Sequence, residues 1–296
     1  MQLSLFSISY AGLWGQAALG LREFLRHART LGFDAVMLAG KRPHLSPLDA
    51  DEHLISVLRE DLHEAGIKCA VVAAYTDLGA PLATEVPFLE MQIAYLEGLC
   101  RVGARLGATV LRVFTAYENA VHSPQASWNL VVKALREICE RAAPHGITVA
   151  IQNHHDLAVH TTALLELLHD VARPNCKLGF DAWSPALRGE DLYEAARQAA
   201  PHTALTTNAD YVRLPRFRYR PEAVNYEPVL PDLVRAVPFG TGFIDYSAFF
   251  EGLRAGGFDG IATYEMCSPI RGGGSGENLD HYARTYVRWM REHGYR

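Results

Sequence analysis

The stretch SPQASWNLVVKALREICERAAPHGITVAIQN, residues 123–153, holds one complete helix-to-strand unit. Ser123 offers an N-cap oxygen, and Pro124 suits the first helical position, where its missing N–H costs nothing. Leu130, Ala134, Leu135, Ile138 and Ala142 recur at helical spacing and so share one face. His145-Gly146-Ile147 ends the helix, because glycine accepts the left-handed C-cap, and the aliphatic run 147–153 reads as a strand. The same ending recurs at LGF (31–33), AGI (65–67), LGA (106–108) and GGF (256–258). Leu279, Tyr282, Ala283, Tyr286 and Met290 form another helical face near the end.

Working outward, β-branched or aliphatic runs lie at 3–9, 35–40, 67–75, 109–116, 147–153, 176–181, 203–211 and 260–266. Their starts are 27 to 42 residues apart, except for 57 before the last. One strand, one helix and two loops fill such a spacing, which is the pattern of parallel βα repeats. Eight of them predict a (β/α)8 TIM barrel, a single domain over 1–296. The wide gap holds five prolines and Arg213, Arg216, Arg218 and Arg220, and 213–242 is expected to be a long loop after strand 7.

The 296 residues are 49% hydrophobic and 21% charged, which excludes disordered and disulfide-scaffold classes. A net charge of −5 gives no basic footprint for nucleic acid. No apolar run is long enough for a membrane span. The N-terminal MQLSLFSISY lacks a basic segment and reads as a strand rather than a signal peptide. Cys69, Cys100, Cys139, Cys176 and Cys267 are odd in number and scattered, so reduced thiols in a cytoplasmic protein are expected. GxSxG, P-loop, HExxH and GxGxxG motifs are missing, which removes the best signatures of serine hydrolases, nucleotide hydrolases and dinucleotide enzymes.

In this fold the active site lies at the C-terminal ends of the strands. There the sequence places Tyr10, His44, Tyr75-Thr76-Asp77, Arg112, Tyr117, Gln152-Asn153-His154-His155-Asp156, Asp181-Ala182-Trp183-Ser184, Thr207-Asn208-Ala209-Asp210 and Glu265. Asp181, Glu265 and the Gln152 amide would converge from three strands as oxygen donors for a hard divalent ion, Mn²⁺ or Mg²⁺. Alternatively, the two acids are held by neighbouring backbone or by the arginines of the loop.

Three stretches carry a family resemblance. PFGTGFIDYSAFFEGLRAGGFDGIATYE (238–265), VAIQNHH (149–155) and LGFDAWS (178–184) are similar to segments of the xylose-isomerase-like sugar isomerases and epimerases. The resemblance implies metal ligands at Gln152, Asp181 and Glu265, a sugar or sugar-derived substrate, and proton transfer next to a metal-bound carbonyl. Zn²⁺, Co²⁺ or Fe²⁺ are further ions compatible with it. This chain departs from the pattern in having Gln152 for Glu, Ser184 for His and Thr207 for His. Gln152 removes one of the two opposed bases of the family's ketose 3-epimerases. A neutral amide accepts no proton, so single-base isomerisation or elimination of a β-substituent remains.

His154, on the same side of an extended strand as Gln152, is the first candidate base, and Glu265 the second. His44 is a candidate to hold a sugar hydroxyl. Arg112 is expected to pair with a mouth carboxylate. Tyr10, Trp14 and Trp183 are candidates to stack on a sugar, and Arg213 with its neighbours to bind an anion or a polyphenolic group or to form a subunit interface. Gly272-Gly273-Gly274-Ser275-Gly276 either cradles phosphate or is a linker with Ser275 as N-cap. The leading reading is a metal-dependent sugar isomerase or epimerase. A lyase or dehydratase, a subunit like those of C-glycoside deglycosidases, and a non-catalytic partner-binding barrel are the alternatives. An abasic-site endonuclease would need several zinc-binding histidines and a basic DNA face, and neither is apparent.

Overall fold

A computed structural model describes residues 1–80 and 85–296. Strands β1 (Gln2–Phe6), β2 (Ala35–Ala39), β3 (Lys68–Ala73), β4 (Val110–Val113), β5 (Thr148–Gln152), β6 (Cys176–Gly179) and β7 (Thr203–Asn208) are followed by β8 (Asp210–Arg220), β9 (Asn225–Val237) and β10 (Ile261–Tyr264). Helices α1 (Leu21–Thr30), α2 (Glu52–Ala65), α3 (Phe88–Arg105), α4 (Pro124–Ala142), α5 (Thr161–Val171), α6 (Trp183–Arg188), α7 (Leu192–Ala199), α8 (Tyr246–Ala255) and α9 (Gly276–Glu292) lie between and after them. The closed barrel runs β1-β10-β7-β6-β5-β4-β3-β2, all parallel. It is the (β/α)8 barrel that the spacing predicts.

The local signals work as expected. Ser123 Oγ accepts from the Ala126 N–H at 3.2 Å, and Val131, Ala134, Leu135, Ile138, Cys139 and Ala142 form the buried face of α4. Gly146 ends that unit with φ 68° and Gly66 ends α2 with φ 62°, backbone angles that a side chain would resist. Alternation in the strands then separates two cores. Leu5, Val36, Val72, Leu111, Val149 and Leu178 pack with the helices, while Phe6, Met37, Val71, Val110 and Ala150 cluster inside the barrel.

The segment 213–242 is not a loop throughout. Most of it forms the antiparallel ribbon β8–β9, paired from Asp210↔Val237 to Arg220↔Asn225. Two-residue periodicity was present in the alternation of arginine with aromatic residues, but the prolines masked it. They are tolerated because each strand of a two-stranded ribbon keeps a free edge, and Pro215 sits in a register shift between Leu214 and Arg216. The Phe217↔Pro228 and Tyr219↔Tyr226 pairs lie on one face of the outer ribbon, and Arg218↔Glu227 on the other.

Asp210 anchors the base of the ribbon. Its carboxylate accepts from the N–H groups of Tyr211 at 2.9 Å, Gly240 at 3.0 Å and Gly242 at 2.7 Å. A Cβ on Gly242 would lie 2.0 Å from Asp210 Oδ1 and 2.4 Å from the Tyr211 carbonyl oxygen. Gly242→Ala is therefore expected to lower the stability by about 1–3 kcal/mol through overpacking, measured as a lower urea midpoint with an unchanged slope.

Candidate active site at the barrel mouth

Parallel strands bring their carboxyl ends to one rim, and there a cavity of about 180 Å³ is lined by His154, Asp181, Trp183, Thr207, Tyr211, Glu265 and Cys267, among others. Gln152, the last residue of β5, donates from Nε2 to Asp181 Oδ2 at 2.8 Å. Asn153 holds the next stretch: its Nδ2 donates to the Asp181 carbonyl at 3.0 Å and its Oδ1 accepts from the Asp181 N–H at 2.8 Å. Ser184 Oγ closes the set on the Asn153 carbonyl at 2.6 Å. These bonds set the position of the Asp181 backbone. No sequence signal marks Asn153, because an amide that pairs with another segment's main chain leaves no local pattern.

Glu265 follows β10, and its N–H donates to the Asn208 carbonyl at 3.0 Å. Burial pushes the Glu265 carboxyl up, opposed by a hydrogen bond from Cys267 and by the charge of Arg112. Tyr211 in turn hydrogen-bonds Cys267, so a phenol, a thiol and a carboxyl form a chain beside the cavity. Burial pushes Asp181 up to about 7, with the Gln152 amide pulling the other way and Glu265 adding to the rise. The two acids thus feel each other in a low-dielectric site.

Donor chemistry defines what the mouth can hold. Among the described residues, no three His, Cys, Asp or Glu side chains are grouped as metal ligands. The oxygen set is wider by one hydroxyl, because Thr207 Oγ1 is buried at the cavity without a hydrogen-bond partner, whereas Gln152 turns its amide N–H to Asp181. Two carboxylates and a hydroxyl match a hard divalent ion in charge and in type.

His154 lines the cavity, but the structure changes its chemistry. Its Nδ1 accepts from the His155 N–H at 2.8 Å, so the neutral ring carries its proton on Nε2. Desolvation and the Arg112 charge push it down to about 4. It offers the cavity a donor, not a basic lone pair. His155, at φ 69°, turns away and stacks on Tyr117 at 4.0 Å.

Other expected residues separate into two groups. Trp183 lies at the cavity against Tyr211, ring centroids 4.4 Å apart. His44 is not at the cavity: Ser7 Oγ lies 2.9 Å from Nδ1 and the Leu19 carbonyl 3.3 Å from Nε2, so both nitrogens are occupied in packing. Tyr10 is likewise turned away, its hydroxyl donating to Asp280 at 2.9 Å. Arg213 donates to the Ala186 carbonyl at 3.3 Å and lies over Phe243, outside the cavity lining. Arg112 forms no ion pair among the described residues and donates instead to the Ala74 carbonyl at 2.8 Å. The expected carboxylate partner is replaced by a carbonyl and ring faces. In the glycine-rich turn, a Cβ on Gly274 would meet the Gly15 carbonyl oxygen at 2.3 Å, and Ser275 caps α9 through the Asn278 N–H. Close packing and capping account for that turn.

The fold and mouth define a (β/α)8 barrel with a polar cavity at its carboxyl rim. The chain belongs to the xylose isomerase-like TIM barrel family, whose model matches residues 25–293. It is 21% identical over 263 residues to a 3-dehydroshikimate dehydratase of Bacillus anthracis, covering 86% of this chain and 87% of that one. D-psicose 3-epimerase of Clostridium cellulolyticum H10, solved with D-tagatose, superposes with a TM-score of 0.75 at 16% identity over 99% of each chain. The IOLI protein, solved with a zinc atom, superposes with a TM-score of 0.75 at 18% identity over 99% of each chain. Among the described residues, no helix is long and apolar enough to cross a membrane.

The raised Asp181 carboxyl has a stability consequence. A carboxyl that holds its proton more tightly when folded contributes fully below the unfolded pKa, and that contribution is lost as pH rises through about 7. Asp181→Asn in chelator-treated protein is therefore expected to have a higher melting temperature than the parent at pH 8 and a nearly equal one at pH 4. Parallel pH profiles of the two proteins would contradict the assignment.

Proposed function

We propose that this chain is an enolising enzyme of polyhydroxylated carbonyl compounds, which removes a proton next to a carbonyl in the cavity between Asp181 and Glu265. The observation that carries the reading is the convergence of these two acids, from β6 and β10, on one cavity at the carboxyl rim. Asp181, Thr207 and Glu265 line the cavity and, with the Gln152 amide turned over to present its oxygen, would hold a divalent ion, Mn²⁺ or Mg²⁺ by their all-oxygen character. When bound, that ion would polarise a substrate carbonyl as a Lewis acid.

Glu265 takes the role of base. Burial raises its basicity, whereas His154 is made a weak base and presents N–H. His154 would then donate from Nε2 to a substrate oxygen, and Trp183 would cover an apolar face of the substrate. The Cys267–Tyr211 chain orients the Glu265 carboxyl.

With Gln152 unable to act as a second base, retention of a single base suits elimination or 1,2-proton transfer better than epimerisation by two opposed bases. The dehydratase relative supports elimination, and the epimerase likeness keeps isomerisation as the second reading. Supply of 3-dehydroshikimate or D-fructose in D₂O to Mn²⁺-treated protein, followed by NMR, tests both. Loss of water from 3-dehydroshikimate, or incorporation of deuterium at carbon of D-fructose, is expected, with a loss of about a hundredfold or more in Glu265→Gln and about tenfold in His154→Ala. Undiminished dehydration or exchange in Glu265→Gln would sink the base assignment. Gln152→Glu restores a third carboxylate and is expected to tighten Mn²⁺ binding about tenfold by calorimetry; unchanged binding would remove Gln152 from the ligand set.

A further inference from the structure

Arg112 is only 1% exposed, yet it has no ionic partner among the described residues. Apart from the Ala74 carbonyl, its guanidinium touches ring faces, Phe114, Tyr75 and Phe6, with centroids 4.0, 5.2 and 5.6 Å away, and Glu265 acts on it only through space, without an ion pair. Its Nε is buried with no hydrogen-bond partner. Ring faces offset only part of the cost of burying a guanidinium, and buried charges are ordinarily paired.

A second cation stands on the same ring. Lys41, in the turn after β2, places Nζ 3.7 Å from the Tyr75 centroid. Burial and the Arg112 charge both act against its protonation. The Tyr75 hydroxyl is itself buried without a partner. Two acids near this corner are engaged elsewhere, Asp77 accepting the Tyr117 N–H and Asp156 the Glu118 N–H, and Glu265 is held by Cys267 and feels the Arg112 charge without pairing with it. Two cations therefore stand around one phenol ring with no anion in ion-pair contact.

We propose that Lys41, Arg112 and Tyr75 form a carboxylate subsite, so that the substrate enolised between Asp181 and Glu265 is an acid, such as a keto-aldonic or cyclic polyhydroxy acid, and not a neutral sugar. The proposal rests on the enolisation reading for the position of the reacting carbon. Guanidinium and ammonium donors give a carboxylate charge-assisted hydrogen bonds, and the free Nε and phenol hydroxyl supply the remaining donors. A phosphate is disfavoured because the turn where this fold cradles phosphate, 272–276, is packed against residues 15–17.

2-Keto-D-gluconate and D-fructose share their lower carbons and differ at C1, carboxylate against hydroxymethyl. Calorimetric titration of the intact protein at low salt is expected to show the acid binding about tenfold or more tightly. Lys41→Met and Arg112→Lys are each expected to erase about fivefold or more of that preference while D-fructose affinity stays within about twofold. Equal affinity for the two compounds, or a preference that survives both substitutions, overturns the subsite. Tighter binding of D-fructose 6-phosphate than of the acid overturns it in favour of phosphate. None of these results touches the enolisation reading, which stands or falls on dehydration or deuterium exchange in Glu265→Gln.

Discussion

The hydrogen-bonded seam between β1 and β10 is the constraint on which the site depends. Gln2↔Ile261 through Leu5↔Tyr264 joins the first strand to the last and turns an open parallel sheet into a ring. Without that seam Glu265 would sit on a free sheet edge, still two strands from Asp181 through β7 but cut off from Tyr75 and Arg112, which reach the rim from β3 and β4 across the ring. With it, Met266 N donates to Ser9 Oγ at 2.9 Å, and the chain just beyond Glu265 is pinned to the rim of β1. Closure also removes the unpaired edges of the sheet, and residues of alternate register fill the interior.

Inside that ring the charges are sorted. Asp181 and Glu265 face one part of the mouth, and Lys41 and Arg112 crowd another around Tyr75. Each group is held in a state that water would not favour: acids pushed toward their neutral form, and cations discouraged from keeping their proton. Such a distribution costs folding energy and, under the proposed enolisation, would supply preorganised electrostatics for a substrate with an acidic C–H. The hydrogen bonds around it, Asn153 to the Asp181 backbone and Cys267 to Glu265, keep the strained groups in place.

The ribbon β8–β9 shows a different economy. Its outer half exposes Phe217 and Tyr226 on one face, while Arg218 and Arg220 pair with Glu227 on the other. It contributes little to the barrel core. Its root reaches the site, where Tyr211 and Val234 line the cavity and Asp210 binds three backbone N–H groups. Insertion of this element between β7 and α8 therefore shapes one wall of the mouth without altering the ring.

Local chemistry made the barrel legible from residues alone. Ser123 caps its helix, Gly66 and Gly146 take left-handed angles, and the aliphatic runs alternate, because each depends on neighbours a few positions away. The same reasoning placed Asp181, Glu265, Trp183 and His154 at one mouth, since the direction of parallel strands alone requires it. Tertiary contacts decided the rest. His44 and Tyr10 look available in sequence and are consumed by Ser7, Leu19 and Asp280, far away along the chain. The tautomer of His154 follows from one backbone N–H, and the isolation of Arg112 beside Lys41 and Tyr75 from three different strands' ends. A sequence specifies which groups reach the rim; only packing determines which of them still have an unspent hydrogen bond or an unbalanced charge when they arrive.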